Sequence, residues 1–317
     1  MTPAHLALAL LIDLIWGFNA VAAKVGVGVI PPLLFTALRF AAVLALLFPF
    51  LRIKRGEMGA ILAVAVLGGV LNFGLAFWGI LLSNASLSAV LGQLNAPFAT
   101  ILSIVFLKEH VGWRRWLGIA LAFAGVAYLG FDKHVVSYGT GALLIVGAAF
   151  SISIAQILMR KLRDVGVFEL QAWIALVSAP SLFLGSLVLE HGQWHAVTAA
   201  PWYVWVSVLY NTLGAGIVGQ GGMYFLLRRY DVALVTSLFL IAPVFGVGFG
   251  VWLLSEPMTT RILAGALLTL IGVFIIALRQ HRGQIIAVAP GQGAIEPAPA
   301  FAAEGGLNPG APTEAKG

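Results

Sequence analysis

Two formal charges stand deep inside apolar runs of this chain: Asp13, within ALALLIDLIWGF, and Arg39, within PLLFTALRFAAVLALL. A carboxyl in such surroundings can take up and release a proton, and a guanidinium can grip a carboxylate through two parallel N–H groups. The two could equally pair with each other, or Arg39 could bind helix-end carbonyls. An ionised arginine at mid-span costs roughly 2.5–3.5 kcal/mol on insertion scales, so Arg39 is expected to face protein or a water-filled cavity.

A second group of candidates surrounds two prolines. Pro97 and Pro243 fall in the middle of apolar runs, where each removes a backbone donor, frees a carbonyl and bends a helix. Broken helices at mid-depth are tolerated only where the freed backbone faces protein or water, which is where binding sites in membranes are built. Gln93 and Asn95 precede Pro97, while Phe239 and Ile241 take those places before Pro243. Amides in hydrocarbon need partners, either on neighbouring helices or on a zwitterionic ligand. Trp16, Asn19, Trp78, Gln156, Tyr210, Asn211 and Gln220 are further polar and amphipathic groups within apolar runs; all but Asn211 are carried forward as candidate ligand contacts.

Other patterns carry no chemistry. Gly214 to Gly219 matches GxGxxG but lies within an apolar run, with no strand before it. His191 and His195 have metal-ligand spacing but no third ligand beside them. The chain has no cysteine, which removes disulfides and thiolate sites. No catalytic residue, metal site or cofactor is expected, and there is no nucleotide-binding motif. Glu109 and Glu256 each stand between two apolar runs, where a carboxylate favours a helix start. Lys24 is expected to reach toward lipid headgroups.

The elements that position these residues follow from composition. Hydrophobic residues make up 61% of the chain and charged ones 9%, against about a quarter charged in soluble proteins. Apolar blocks of roughly 18 to 24 residues can each cross ~30 Å of hydrocarbon. Ten spans are expected, near 5–24, 32–51, 59–81, 86–107, 112–130, 139–159, 168–189, 203–226, 232–254 and 261–279: an all-α integral membrane fold. The run Ala20-Val21-Ala22 could pass for a leader cleavage site, but the preceding segment lacks Lys and Arg, so a retained first helix is expected. Residues 283–317, rich in Ala, Gly and Pro, are expected to be a disordered tail.

The net charge of +6 does not indicate nucleic acid, because the basic residues cluster between spans. Alternate connections hold 14 of them (Arg52, Lys54, Arg55; Lys108, Arg114, Arg115; Arg160, Lys161, Arg163; Arg228, Arg229; Arg279, Arg282, Lys316). The others hold three: Lys24, Lys133 and Arg261. The positive-inside rule places the rich side, and both termini, in the cytoplasm.

The chain also repeats itself. Ala96-Pro97, Glu109, Gly118 and Gly125 recur as Ala242-Pro243, Glu256, Gly265 and Gly272, at a constant offset of 147 from the glutamate onward. The glycines, two turns apart, suit close helix packing. The expected units are residues 1–135 and 136–282. Five helices is an odd number, so the second unit must enter the membrane from the opposite face, an inverted repeat of the kind that generates inward- and outward-open states.

These motifs, with Phe106-Leu107-Lys108-Glu109, Leu254-Ser255-Glu256, Trp16-Gly17-Phe18-Asn19 and Leu38-Arg39-Phe40, resemble the EamA family of the drug/metabolite transporter superfamily over about residues 5–280. The second unit departs at Phe150-Ser151, where tryptophan is common, and the first at Asp13. The resemblance implies a ten-helix carrier in a bacterial-type inner membrane, monomeric or homodimeric, exporting amino acids or related metabolites by alternating access. Carriage of drugs or nucleotide sugars, and a membrane-embedded enzyme, are the competing readings. An enzyme would need clustered ionisable groups near one interface, and only isolated ones are found.

Overall fold

The computed structural model describes residues 1–108, 110–132, 138–159, 162, 164–227, 229–230, 234–235 and 238–285. Among these there is no strand, and the helices fall into ten segments. They are α1 (Pro3–Val27), α2 (Pro32–Leu47), α3 (Met58–Leu82), α4 (Ala85–Leu107), α5 (Trp113–Leu129), α6 (Gly139–Met159), α7 (Val167–Leu189), α8 (202–227), α9 (Phe239–Leu254) and α10 (Thr260–Ile285). A short helix, Gln193–Thr198, joins α7 to α8 and carries His195. Seven helices, α1–α4, α6, α7 and α10, are long and apolar enough to cross a membrane. α10 runs through Ile285, three residues into the stretch expected to be tail, because the apolar periodicity ends before the helix does. The rest of that tail lies outside the described residues, as do Glu109, Lys133, Arg160, Lys161, Arg163, Arg228 and the boundary at 135.

Helix pairing follows a rule. The most extensive contacts join α5 with α10, α2 with α7, α3 with α6, and α1 with α9; α4 also packs on α6, and α1 on α8. Exchanging every helix with the one five places later leaves this set unchanged. Glycine makes the tightest crossing possible. A Cβ on Gly118 of α5 would stand 2.8 Å from the Gly272 carbonyl oxygen of α10, and one on Gly272 would stand 2.6 Å from the Gly118 oxygen. With little hydrophobic drive between helices in lipid, such backbone approach is what holds a pair together.

The same exchange relates the irregular segments. α3 contains a π-helical stretch, Ala65–Leu71, and α8 one at Tyr210–Gly219. α4 is interrupted by a 3₁₀ turn, Gly92–Leu94, and α9 begins on one, Phe239–Ile241. α4 ends on Lys108 (φ 53°), which donates its amide to the Ser103 carbonyl; α9 ends on Ser255 (φ 52°), which donates to Gly250. Turns, caps and acceptors are all 147 residues apart.

One end of the bundle is tied by charged side chains on helix termini. The Glu256 carboxylate, beyond the end of α9, accepts from the first amides of α4, Ala85 N at 2.6 Å and Ser86 N at 2.8 Å. The Glu190 carboxylate, beyond α7, accepts from Leu33 N and Leu34 N of α2 at 2.8 and 3.2 Å. Each carboxylate satisfies donors that have no intrahelical acceptor, at the positive end of the helix dipole. The helix start that Glu256 serves is therefore α4, across the bundle, and not the span that follows it. Lys24 does not reach outward either: its ammonium donates to Ile80 O (2.7 Å), Leu81 O (2.9 Å) and Ser83 O, carbonyls at the end of α3. At the opposite end, Trp173 donates to Arg52 O, and Tyr230 bonds Thr2 and His5.

Candidate functional site

A cavity of about 520 Å³ lies where the two sets of five helices meet. α1 contributes Trp16, Gly17, Asn19 and Ala20; α4 contributes Ser88, Ala89, Gln93, Asn95, Ala96 and Ala99. From the later helices come Gln156 of α6, Met223 of α8, Phe239, Leu240, Ala242 and Pro243 at the turn of α9, and Val273, Ile276 and Ala277 of α10. A side chamber of about 220 Å³ shares Ile80, Ser88 and Asn95 with it and adds Asn72 of α3.

Of the sequence candidates, Trp16, Asn19, Gln93, Asn95, Gln156 and Pro243 come together on this wall. Trp16 is fixed in two ways: its indole N–H donates to the Ala215 carbonyl in the π stretch of α8 (3.2 Å), and its ring packs tilted against Phe239, centroids 5.0 Å apart and planes at 60°. The break in α9 thus meets α1 through an aromatic contact. Asn19 Oδ1 is buried without a hydrogen-bond partner. Among the described residues, the side chains of Gln93, Asn95 and Gln156 also make no hydrogen bond within the protein. Unpaired amides around a cavity leave their bonding capacity to a ligand or water.

The other candidates stand elsewhere. Arg39 is buried, with 6% exposure, but is not on the cavity wall. Its Nε donates to the Asn211 carbonyl at 3.2 Å, its guanidinium carbon lies 4.2 Å from the Phe73 ring centroid, and Phe40 and Phe77 flank it. Asp13 is fully buried on α1, with the Ala242 backbone amide of α9 beside its carboxylate and no side chain paired to it. The pairing of Asp13 with Arg39 considered from the sequence is not formed. Trp78 packs with the α2–α7 apolar cluster. Tyr210 donates its hydroxyl to Ile15 O at 2.8 Å, so it ties α8 to α1. Gln220, which begins the last part of α8, does not line the cavity. Among the described residues there is no group of three His, Asp or Glu side chains suited to a metal.

Pro97 and Pro243 part company for a geometric reason. Aligning the two prolines sets Gln93 against Phe239 and Asn95 against Ile241. The helix boundaries and caps give an offset of 147, so Gln93 answers to Leu240, Asn95 to Ala242 and Ala96 to Pro243, and both members of each pair line the cavity. Pro97 is one residue further along, about 100° around the helix, and is buried away from it.

Ser88, Asn72, Met223 and Phe239 are wall residues that sequence reasoning did not single out as contacts. Asn72 had a readable signal, an amide within the third apolar run; Met223 had none. π-helical stretches, frequent at functional sites, run directly into both Asn72 and the Gln220–Leu227 segment carrying Met223.

Comparison with known proteins agrees with this architecture. A protein of Escherichia coli (strain K12) named "Probable amino-acid metabolite efflux pump" is 30% identical over 279 residues, covering 84% of this chain and 93% of its own length. A Salmonella typhimurium protein of the same name is 31% identical with the same coverage, and an uncharacterized transporter of Bacillus subtilis is 27% identical over 282 residues. A solved crystal structure, 19% identical, superposes with a TM-score of 0.58 over 87% of this chain and 96% of that one, a likeness of fold. The model of the EamA-like transporter family matches twice, at residues 4–131 and 139–278. By these two matches and by its helical membrane fold, this chain is a member of the EamA-like transporter family.

Proposed function

We propose that the protein exports amino acids or related small metabolites across a bacterial-type inner membrane by alternating access. The cavity carries this reading: it is built from both sets of five helices, at two helix breaks, and its amides are unpaired. In this reading all ten helices span the membrane. Residues 1–135 and 136–282 form two inverted units, and the basic side and both termini face the cytoplasm. The exchange-related helix contacts support the inverted arrangement, and the 14-to-3 distribution of basic residues supports the orientation. Rocking of one unit against the other would expose the cavity to each side in turn, with the Glu190, Glu256 and Lys24 ties holding one end shut in this state. The names of the Escherichia coli and Salmonella relatives support the cargo class.

Trp16, Asn19, Gln93, Asn95, Gln156 and Pro243 are the substrate contacts in this reading. Asp13, lone and buried, is the group on which a driving proton would ride. The test is counterflow and gradient-driven flux in proteoliposomes with a panel of labelled amino acids. Exchange of at least one amino acid is expected. Flux of a nucleotide sugar or a cationic drug with none for any amino acid would overturn the cargo class. Asp13→Asn is expected to abolish acceleration by a proton gradient while counterflow survives; unchanged gradient-driven flux would end the role given to Asp13.

A further inference from the structure

Among the described residues, neither the main cavity nor its side chamber is lined by a single Asp, Glu, Lys or Arg. This is not for want of charges in the membrane. Arg39 and Asp13 are both buried in the same bundle, on α2 and α1. Arg39 is set behind Phe40, Phe73 and Phe77 with its Nε committed to the Asn211 carbonyl. Asp13, on the same helix as Trp16 and Asn19, is fully buried and off the wall. What the wall offers instead is Asn19, Gln93, Asn95, Gln156 and Ser88, with the indole of Trp16 beside them.

We infer that the cavity selects cargo of zero net charge, a zwitterion with a small or apolar side chain, and that Asn19 sets this charge selection. The inference rests on the amino-acid reading above. Each amide offers N–H donors to a carboxylate and a carbonyl acceptor to an ammonium, so a ring of amides can solvate both ends of a zwitterion. It has no counter-ion for a third charge. A cargo with a net charge would enter a low-dielectric site unpaired, a state proteins avoid unless a partner charge is present. Asn19 Oδ1, already desolvated and without a partner, is the acceptor poised for the ammonium, and the Trp16 ring beside it suits a cation. The anionic phosphates of nucleotide sugars would find no Lys or Arg on this wall.

The experiment is counterflow by the full chain in proteoliposomes at neutral pH, with labelled serine, valine, phenylalanine, glutamate and lysine. Glutamate and lysine are expected to exchange at least about 100-fold more slowly than the best neutral amino acid, the factor equivalent to an unpaired charge on insertion scales. Asn19→Asp places a carboxylate on the wall and is expected to raise lysine exchange and lower that of the neutral cargo. Gln156→Glu, nearer the end of α6, tests the same shift if the first variant does not fold. Glutamate or lysine exchanging as fast as the neutral amino acids overturns the charge rule and leaves the exporter reading standing. A folded Asn19→Asp, shown by an unchanged elution profile, that keeps the wild-type charge preference overturns the role of Asn19. No exchange of any amino acid overturns the exporter reading itself.

Discussion

The break in α4 and the break in α9 have the same backbone and opposite chemistry. Both are 3₁₀ turns, Gly92–Leu94 and Phe239–Ile241, each continuous with a 13-residue helix that ends in a left-handed residue. At the break in α4 the positions facing the cavity are Gln93, Asn95 and Ala96; at the break in α9 they are Leu240, Ala242 and Pro243, with Phe239 tilted against Trp16. The two breaks thus share the bend, which the proposed rocking would use on both sides, and differ in their side chains. One wall is polar and the other apolar and aromatic. On the proposed reading, an amino acid lies across the cavity with its charged groups toward α4 and α1 and its side chain toward α9.

The comparison breaks most severely at the ends of these helices. The counterpart of Gly250 in α9 is Ser103 in α4, which tolerates a side chain because its hydroxyl donates to Thr100 O at 2.9 Å. A Cβ on Gly250 would stand 2.6 Å from Glu256 Oε2 and collide with Ser86 Oγ. Gly250→Leu is therefore expected to expel the carboxylate from the start of α4 and to cost about 3 kcal/mol or more, through overpacking and two stranded amides. A steep fall in melting temperature, measured in detergent, is the readout. Ser103→Leu should cost less, and equal losses would mean that the two helix ends are not distinguished by the Glu256 contact.

Exchanging the walls comes next. Gln93→Leu with Asn95→Ala gives α4 the residue types of α9, and counterflow is expected to fall about 10- to 100-fold, the worth of one or two hydrogen bonds to a charged group. Thermal stability should hold, since these amides bond nothing in the protein. A matching loss of stability would show that they are structural. The reverse change, Leu240→Gln, should cost less, about 3- to 10-fold, and chiefly for cargo with large apolar side chains, because it removes apolar contact and no charge partner. An equal effect on serine and phenylalanine would remove the apolar role from α9.

Much of this scaffold could be read from the sequence. Hydropathy located the apolar helices, and the recurrence of glycine two turns apart indicated close helix packing by α5 and α10, though not that the two pack on each other. The cavity was legible only in part. Trp78, Tyr210 and Gln220 are as polar as Trp16 and Gln156, yet they stand off the wall, and nothing in an almost uniformly apolar helix reports its rotation about its own axis. The π stretches in α3 and α8 add to this, since each shifts the facing of everything beyond it and has no marked sequence signal. Arg39 illustrates the opposite case: its cost predicted that it would be shielded, and the shield is three phenylalanines and a backbone carbonyl, with no pairing to Asp13.

The smallest effect tests the register itself. Both prolines sit in the first turn of their 13-residue helices, where the missing N–H has no intrahelical acceptor to lose. Alanine at either position should therefore change stability by less than about 1 kcal/mol. Transport should separate them. Pro243 borders the cavity beside Ala242, and its loss opens the wall and frees a new donor there, so KM is expected to rise about two- to threefold, near 0.5 kcal/mol. Pro97 is turned about 100° from the equivalent line, and Pro97→Ala should leave KM unchanged within error. If the two variants shift KM alike, the prolines and not the helix boundaries are the true equivalents, and Gln93 should be compared with Phe239 after all.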